Sequence, residues 1–429
     1  MNSAAPTRRI AAPVAALAAT VALLVPASAV GASPGPDRAF ATPVAAGAEA
    51  RSSVSAGQLK AGINRALKGS GGRGGAYVAD PTTGSVLFSR GASRRLQIAS
   101  NMKLFTTAAA LARLGPEERL ETSLVAPGGI VGGVVQGDLI LRGGGDPSLG
   151  RSSLARLVAE AQANGLTTVT GRLRYDESIF DRRRKVARKG IRGRPFAYLG
   201  RLSGLAYEAG RSRDPARSAA LATAALLRKR GIDVPKKVSR TSGIPVLAEN
   251  VAAEVESAPL ADLARSTNTF SINFYAEMLL KSLGAKVAGR GTTAAGVAVA
   301  RSFARDAGAP LRAQNGSGLS RADRASPRSI GSLLAAMLEE EPEVRDAFLG
   351  SLAVAGHTGT LARRMRGTAA RGRCVGKTGT LDGVSALSGY CLVAPERFLV
   401  FSVLLNKVRV ERAHRAQDRI AALVAGYAP

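Results

Sequence analysis

The sequence predicts an α/β (α+β) chain in which an antiparallel sheet flanked by helices is assembled from the two termini, with a smaller α/β domain inserted between them. Three observations predict it. A hairpin pattern followed by a long apolar helix stands near the N-terminus. A second strand pair followed by an amphipathic segment closes the chain. The stretch between them has a different texture, dense in Gly and Val. At 429 residues the chain is long for one average domain, so two is the expectation from length. With 45% hydrophobic residues it has ample material for a buried core.

Taken in order, Arg8 and Arg9 precede an apolar run from Ile10 to Val25, which is followed by Pro26-Ala27-Ser28-Ala29. A basic start, an apolar stretch and an Ala-x-Ala ending predict a signal peptide over residues 1–29. The 16-residue run is shorter than the ~20 residues of a spanning helix, so an exported, extracytoplasmic protein is expected. Residues 30–55, rich in Ala, Gly, Pro and Ser, are expected to be a disordered lead-in. Next, Gly75 to Asp80 and Ser85 to Arg90 alternate around Pro81-Thr82-Thr83-Gly84, the pattern of a hairpin. Ile98 to Ala112 is apolar nearly all round, as in a buried helix.

The middle opens with the Gly/Val-rich Gly128 to Gly145, which ends in the turn signal Gly143-Gly144-Gly145-Asp146-Pro147. Helical patterns cover Ser152 to Asn164 and Pro215 to Arg230, with strand-like Thr167 to Asp176 between them. Towards the end, Val384 to Val393 and Arg397 to Asn406 read as strands around Pro395, and Ile420, Leu423, Val424 and Tyr427 share a helical face. The expected division is residues 56–117 with 250–429 as the catalytic domain and 118–249 as the insert.

The net charge of +29 suits an anionic partner. Aromatic residues are only 4% and Trp is absent, which leaves little to stack on bases, so nucleic acid is not the expected partner. For an exported chain, anionic wall polymers are. The densest run, Arg182 through Arg194, is expected to be a solvated loop. The two cysteines, Cys374 and Cys391, flank Asp382-Gly383, a two-residue hairpin signal. Around that turn, residues whose numbers sum to 765 face each other, and 374 plus 391 is 765. A disulfide is the favoured reading, since counting outward makes this a non-hydrogen-bonded pair, in which side chains come closest; two reduced, buried thiols are the alternative.

Two His (357 and 414) and two Cys form no ligand cluster, so no metal site and no cofactor is expected. Neither His accompanies a Gly-x-Ser-x-Gly elbow. A serine nucleophile therefore needs another base, and Ser100-Asn101-Met102-Lys103 supplies one. Lys103 is the only charged residue between Arg95 and Arg113, in a helix that otherwise calls for burial. Positions i and i+3 share a helix face, so the Ser100 hydroxyl and the amine meet. As a base Lys103 must be neutral, and moving a lysine pKa from about 10.4 to about 7.5 requires disfavouring the cation by roughly 4 kcal/mol. Burial and a second cation supply that.

The second cation is Lys377 in Lys377-Thr378-Gly379-Thr380, which lies on an expected strand. On a strand Lys377 and Gly379 point to one side. Lys377 is expected to stay charged, to hold a carboxylate, and to help keep Lys103 neutral; Gly379 is expected to leave the pocket mouth open. Between these motifs, Ser271-Ile272-Asn273 opens a helical run, so its hydroxyl can relay a proton and its amide can hold a substrate amide. Ser266-Thr267-Asn268, just upstream, is a rival without a helix directly after it.

Ser-x-x-Lys, Ser-x-Asn and Lys-Thr-Gly in that order resemble the penicillin-binding proteins and serine β-lactamases. More narrowly, the chain resembles the penicillin-binding protein 4 type D-alanyl-D-alanine carboxypeptidase/endopeptidases. Ala99 to Leu111, Gly137 through Leu149, Ser271 through Gly284 with Ala276-Glu277, Asn315 through Arg321, Gly359-Thr360-Leu361 and Gly376 through Gly389 carry the resemblance, which extends from about residue 56 to the C-terminus. The resemblance implies a transpeptidase-type domain and acyl transfer on peptidoglycan stem peptides ending in D-alanyl-D-alanine. Ser100, Lys103 and Ser271 would be catalytic; Asn273, Lys377, Thr378, Gly379 and Thr380 would bind substrate. The oxyanion would sit between the N–H groups of Ser100 and Thr380, and β-lactam antibiotics would acylate Ser100.

Two departures stand out. Ile272 occupies a position where family members often carry Asp or Asn, which implies a changed rim. Lys103 and Ser271 are 168 positions apart, shorter than in members with two inserted domains, which implies that one insert is reduced or absent. A serine β-lactamase is the first alternative, and the long insert fits it poorly. A wall-binding protein with a decayed site is the second, and the intact Ser, Lys, Asn and Lys-Thr-Gly residues argue against it.

Overall fold

Two main sheets organise the chain in a computed structural model, which describes residues 53–185, 199–243 and 247–428. The first has six antiparallel strands in the order Ala353–Val354, Cys374–Leu381, Val384–Ala394, Arg397–Asn406, Arg73–Ala79 and Val86–Arg90. Both expected hairpins are present, and the N-terminal one docks on the C-terminal one through Arg73–Ala79, which pairs with Arg397–Asn406. Alternation along these strands separates two cores. Ala76, Val78, Phe401 and Val403 face the helices Ala56–Gly69 and Val410–Ala425. Tyr77, Val400 and Leu404 face the opposite layer, where the helix Met102–Leu114 is buried from Met102 to Leu111. Against it packs the helix Asn273–Ala288. Lys103 therefore lies at the centre of the thicker layer.

The second sheet has five strands in the order Val238–Thr241, Leu173–Asp176, Leu139–Gly143, Glu121–Val125 and Val251–Glu256. The first three run parallel, and the last two pair antiparallel. The helices Arg151–Ala163 and Pro215–Lys229 cover it through Leu154, Leu157, Ala216 and Leu227. Asp214 caps the second helix by accepting from the Arg217 N–H, ahead of Pro215 at its first turn.

Four details differ from the expectations. Val251–Glu256 belongs to the second sheet because it pairs with Glu121–Val125, so the border expected at residue 250 falls too early. Val54 and Ser55 are not loose lead-in: Val54 N–H bonds the Gly426 carbonyl, and Ser55 forms a capping box with Gln58. Tyr427 lies past the end of the closing helix and bridges Val54 instead. In the basic run, Arg184 is not solvated. It bonds both oxygens of the buried Glu177 at 2.6 Å each and Asp214 at 3.0 Å, while Arg240 and Ser203 complete the shell around Glu177. The rest of that run beyond Lys185, and the expected signal peptide, lie outside the described residues.

The strands Cys374–Leu381 and Val384–Ala394 pair in the register read from the turn, Cys374 opposite Cys391 and Lys377 opposite Ser388. Cys374 and Cys391 are disulfide-bonded, with Cα atoms 4.1 Å apart, and fully buried under the closing helix. Closing a 17-residue separation is worth ~3 kcal/mol in chain entropy. The double substitution Cys374→Ala/Cys391→Ala is therefore expected to lower unfolding free energy by about 2–4 kcal/mol, read by urea unfolding. An unchanged midpoint would show that the crosslink contributes nothing.

Candidate active site

A single turn of 3₁₀ helix, Ala99–Asn101, precedes the buried helix and presents Ser100. The sequence places Ser100 in the first α-helical turn; the structure sets it just before, with Ala99 at φ 46°. Two glycines from distant segments account for that turn. A Cβ on Gly318 (φ 81°) would overlap the Ala99 carbonyl oxygen. A Cβ on Gly379 would come within 2.8 Å of the Ile98 oxygen and 3.0 Å of the Ser100 nitrogen. Gly379 thus does not hold a mouth open, as expected from the sequence, but lets the Lys-Thr-Gly strand lie directly against the Ser100 amide.

Lys103 is fully buried, and its Nζ donates to Ser100 Oγ at 3.0 Å, Asn273 Oδ1 at 2.7 Å and the Ser317 carbonyl at 2.8 Å. Three donors facing three acceptors is the bonding of the ammonium form; as the free amine, Lys103 keeps two donors and turns its lone pair to the Ser100 hydroxyl. Burial pushes its pKa down to about 7, against the opposing pull of the Glu277 and Asp323 carboxylates. At neutral pH a large share of Lys103 is the free amine, hydrogen-bonded to a serine hydroxyl. That arrangement can accept the hydroxyl proton as the oxygen attacks a carbonyl.

Asn273 opens its helix two residues after Ser271, which sits at φ 59° between the helices Leu260–Thr269 and Asn273–Ala288. The rival Asn268 points elsewhere: its Nδ2 bonds the Thr107 and Ser351 hydroxyls inside the core. Lys377 is also fully buried, with Nζ on the Thr378 carbonyl at 2.9 Å. Burial first, and the Lys103 charge second, hold its pKa well below the ordinary lysine value. Burial, the largest influence on Lys103, does the work expected of a Lys377 charge, and Lys377 is itself depressed. Thr378 Oγ1 bonds Thr360 Oγ1 at 2.9 Å, while Thr380 is exposed.

Several supporting residues have roles that the sequence does not assign, although Ala276-Glu277 and Asn315 through Arg321 are among the stretches that carry the resemblance. Asn101, a variable position of Ser-x-x-Lys, donates to the Lys377 carbonyl at 2.7 Å and accepts from Ser388 Oγ at 2.8 Å, pinning the strand to the serine turn. Glu277 is fully buried and accepts from the N–H groups of Gly316 and Ser317. Only the glycine spacing of Asn315-Gly316-Ser317-Gly318 hints at a close approach there. His357 is exposed on a turn and His414 is on the closing helix; neither contacts Ser100.

The sequence matches the model of the D-Ala-D-Ala carboxypeptidase 3 (S13) family over residues 59–191 and 201–427. The chain belongs to this family. Members among its relatives include a D-alanyl-D-alanine carboxypeptidase of Actinomadura sp. (strain R39), 34% identical over a match covering 82% of this chain and 81% of that one. Another is the carboxypeptidase DacB of Mycolicibacterium smegmatis, 30% identical over 81% and 79%. The fold is similar to the crystal structure of penicillin binding protein 4 from Haemophilus influenzae, with a TM-score of 0.72 at 19% identity, covering 83% of this chain and 97% of that one. As an S13 member the chain is a peptidase, a hydrolase.

Proposed function

We propose that the protein is an exported D-Ala-D-Ala carboxypeptidase that shortens peptidoglycan stem peptides through an acyl-enzyme on Ser100, and that β-lactams acylate the same serine. The single observation that carries this reading is Lys103 Nζ, buried and bonded at once to Ser100 Oγ and Asn273 Oδ1. Ser100 Oγ attacks the penultimate D-Ala carbonyl carbon as its proton passes to Lys103. The N–H groups of Ser100 and Thr380 would receive the oxyanion, a placement supported by the strand lying against the Ser100 amide. The C–N bond then breaks, and Ser271 would pass a proton to the departing amine. Water releases the shortened peptide and restores Ser100.

Asn273 already gives its Oδ1 to Lys103, which leaves Nδ2 to hold the carbonyl of the acyl chain. With Thr378 tied to Thr360, Thr380 is the hydroxyl free to meet the terminal carboxylate. A carboxylate beside Lys377 would favour its ammonium form and so repay part of the desolvation that depresses it. A β-lactamase reading fits less well. The one Glu-x-x-x-Asn spacing in the chain, Glu160 and Asn164, is engaged with the second sheet, through Glu254 N–H and the Ala252 carbonyl. Export rests on residues 1–29, and no described helix is long and apolar enough to cross a membrane. Attraction to anionic wall polymers rests on the +29 charge and on Arg366, Arg371 and Arg373 lining one cleft.

The test is incubation of the secreted form with labelled penicillin and, separately, with a peptide ending in D-Ala-D-Ala. A lasting adduct mapped to the Ser100 peptide, together with D-Ala release, is the expected result. Rapid penicillin turnover would favour the lactamase, and no adduct with no release would sink both enzymatic readings. The acylation rate is expected to follow neutral Lys103, rising about tenfold per pH unit below about 7 and levelling above it. A flat profile from about pH 5.5 to 8 would remove Lys103 from the role of base.

A further inference from the structure

The Asn315–Gly318 loop stands at a junction. It touches the serine turn, the lysine helix and the Asn273 helix together. The Ser317 carbonyl accepts from Lys103 Nζ at 2.8 Å, and Thr106 Oγ1 on the same helix donates to the Gly316 carbonyl at 2.8 Å. A Cβ on Gly316 would meet the Ala276 oxygen at 2.5 Å and Leu280 at 2.9 Å, so the loop backbone lies directly on the Asn273–Ala288 helix. Asn315 Oδ1 accepts from the Gly318 N–H at 2.9 Å and closes the loop on itself. Beneath it, Glu277 takes the Ser317 N–H on one oxygen at 2.9 Å and the Gly316 N–H on the other at 3.2 Å.

We propose that Glu277 is a positioning residue for the acylation step: its carboxylate fixes the backbone of Ser317, whose carbonyl aims Lys103 at Ser100, and its negative charge favours the protonated form of Lys103. Both oxygens of Glu277 accept backbone N–H bonds, the geometry that favours a carboxylate over an acid. One residue, Ser317, stands between the carboxylate and the Lys103 amine: its N–H faces Glu277, and its carbonyl, in the next peptide unit, faces Lys103. The other ionisable groups around the lysine are Asp323, buried and held by the Gln314 N–H at 2.6 Å, and Lys377 on the adjoining strand. Asp323 adds to the field of Glu277 at Lys103. Burial raises the pKa of both carboxylic acids, that of Asp323 to about 7.

The inference rests on Ser100 and Lys103 being nucleophile and base. The experiment is the pH profile of labelled-penicillin acylation, with the adduct mapped by peptide mass. In Glu277→Gln, loss of the negative charge is expected to move the acid limb about one pH unit lower. The plateau rate is expected to fall by about tenfold, because the amide puts a donor NH2 where one of the two accepting oxygens stood. Glu277→Asp keeps the charge and loses reach, so its acid limb is expected to stay with the wild type while its plateau falls. An acid limb unmoved in Glu277→Gln overturns the charge role. A plateau within about twofold of wild type in Glu277→Asp overturns the positioning role, and it does so even where Glu277→Gln fails to fold. If the wild-type adduct does not map to Ser100, the underlying reading fails instead.

Discussion

Labelled penicillin is expected to leave Ser100→Ala unmodified, and D-Ala release by this variant is expected to fall to background. The substitution removes the hydroxyl that Lys103 engages and changes little else. Ser100 contributes one hydrogen bond to Lys103, which keeps Asn273 Oδ1 and the Ser317 carbonyl. The loss of such a bond costs about 1 kcal/mol, so thermal unfolding should move by only a few degrees. A Ser100→Ala protein that still carries one label per chain would show that another nucleophile is acylated. A collapse of the unfolding transition would make the loss of label uninformative about chemistry, and comparison with Ser100→Gly would then decide.

Lys103→Met is the second large effect. The nucleophile remains, but it has no base, and the acylation rate above pH 7 is expected to fall by about 10³-fold, or roughly 4 kcal/mol. The unbranched side chain occupies much of the same space, which separates loss of the amine from creation of a cavity. The pH dependence supplies the sharper reading. Wild-type acylation should rise through about pH 7, whereas the residual rate of Lys103→Met should lose that inflection. Persistence of the same inflection in Lys103→Met would assign it to a different group, with Asp323, also near 7, the first to examine.

The legible part of this molecule is the part fixed by local pattern. Alternation predicted both hairpins, and the turn at Asp382-Gly383 gave a register that the sheet follows down to Cys374 opposite Cys391. The buried helix was marked by fourteen uncharged residues around one lysine. What pattern could not give is the shape of the serine turn. Ala99 adopts a positive φ where Gly318, far away in the chain, packs on its carbonyl and Gly379 packs on Ile98 and Ser100 to either side, and no window around Ser100 contains that information. The same holds for charge. Lys377 looked like an ordinary cation on a strand, and only the complete burial of its side chain shows that desolvation depresses it. Val251–Glu256 was misplaced for a similar reason, since a strand's sheet is decided by its partner, and Glu121–Val125 lies about 130 positions earlier.

The pairing of Arg73 with Asn406 has a consequence in time. Synthesis proceeds from the N-terminus, so Ser100 and Lys103 emerge early, together with one hairpin whose outer partner does not yet exist. The strand that lies against Ser100, Cys374–Leu381, and the strand that receives the first hairpin, Arg397–Asn406, both emerge last. Pairings across such long sequence separations close slowly and late. The nascent chain is therefore expected to carry Ser100 without its backing strand until the final segments arrive, and a polypeptide cut short before Cys374 would hold Ser100 and Lys103 without a sheet to fix them.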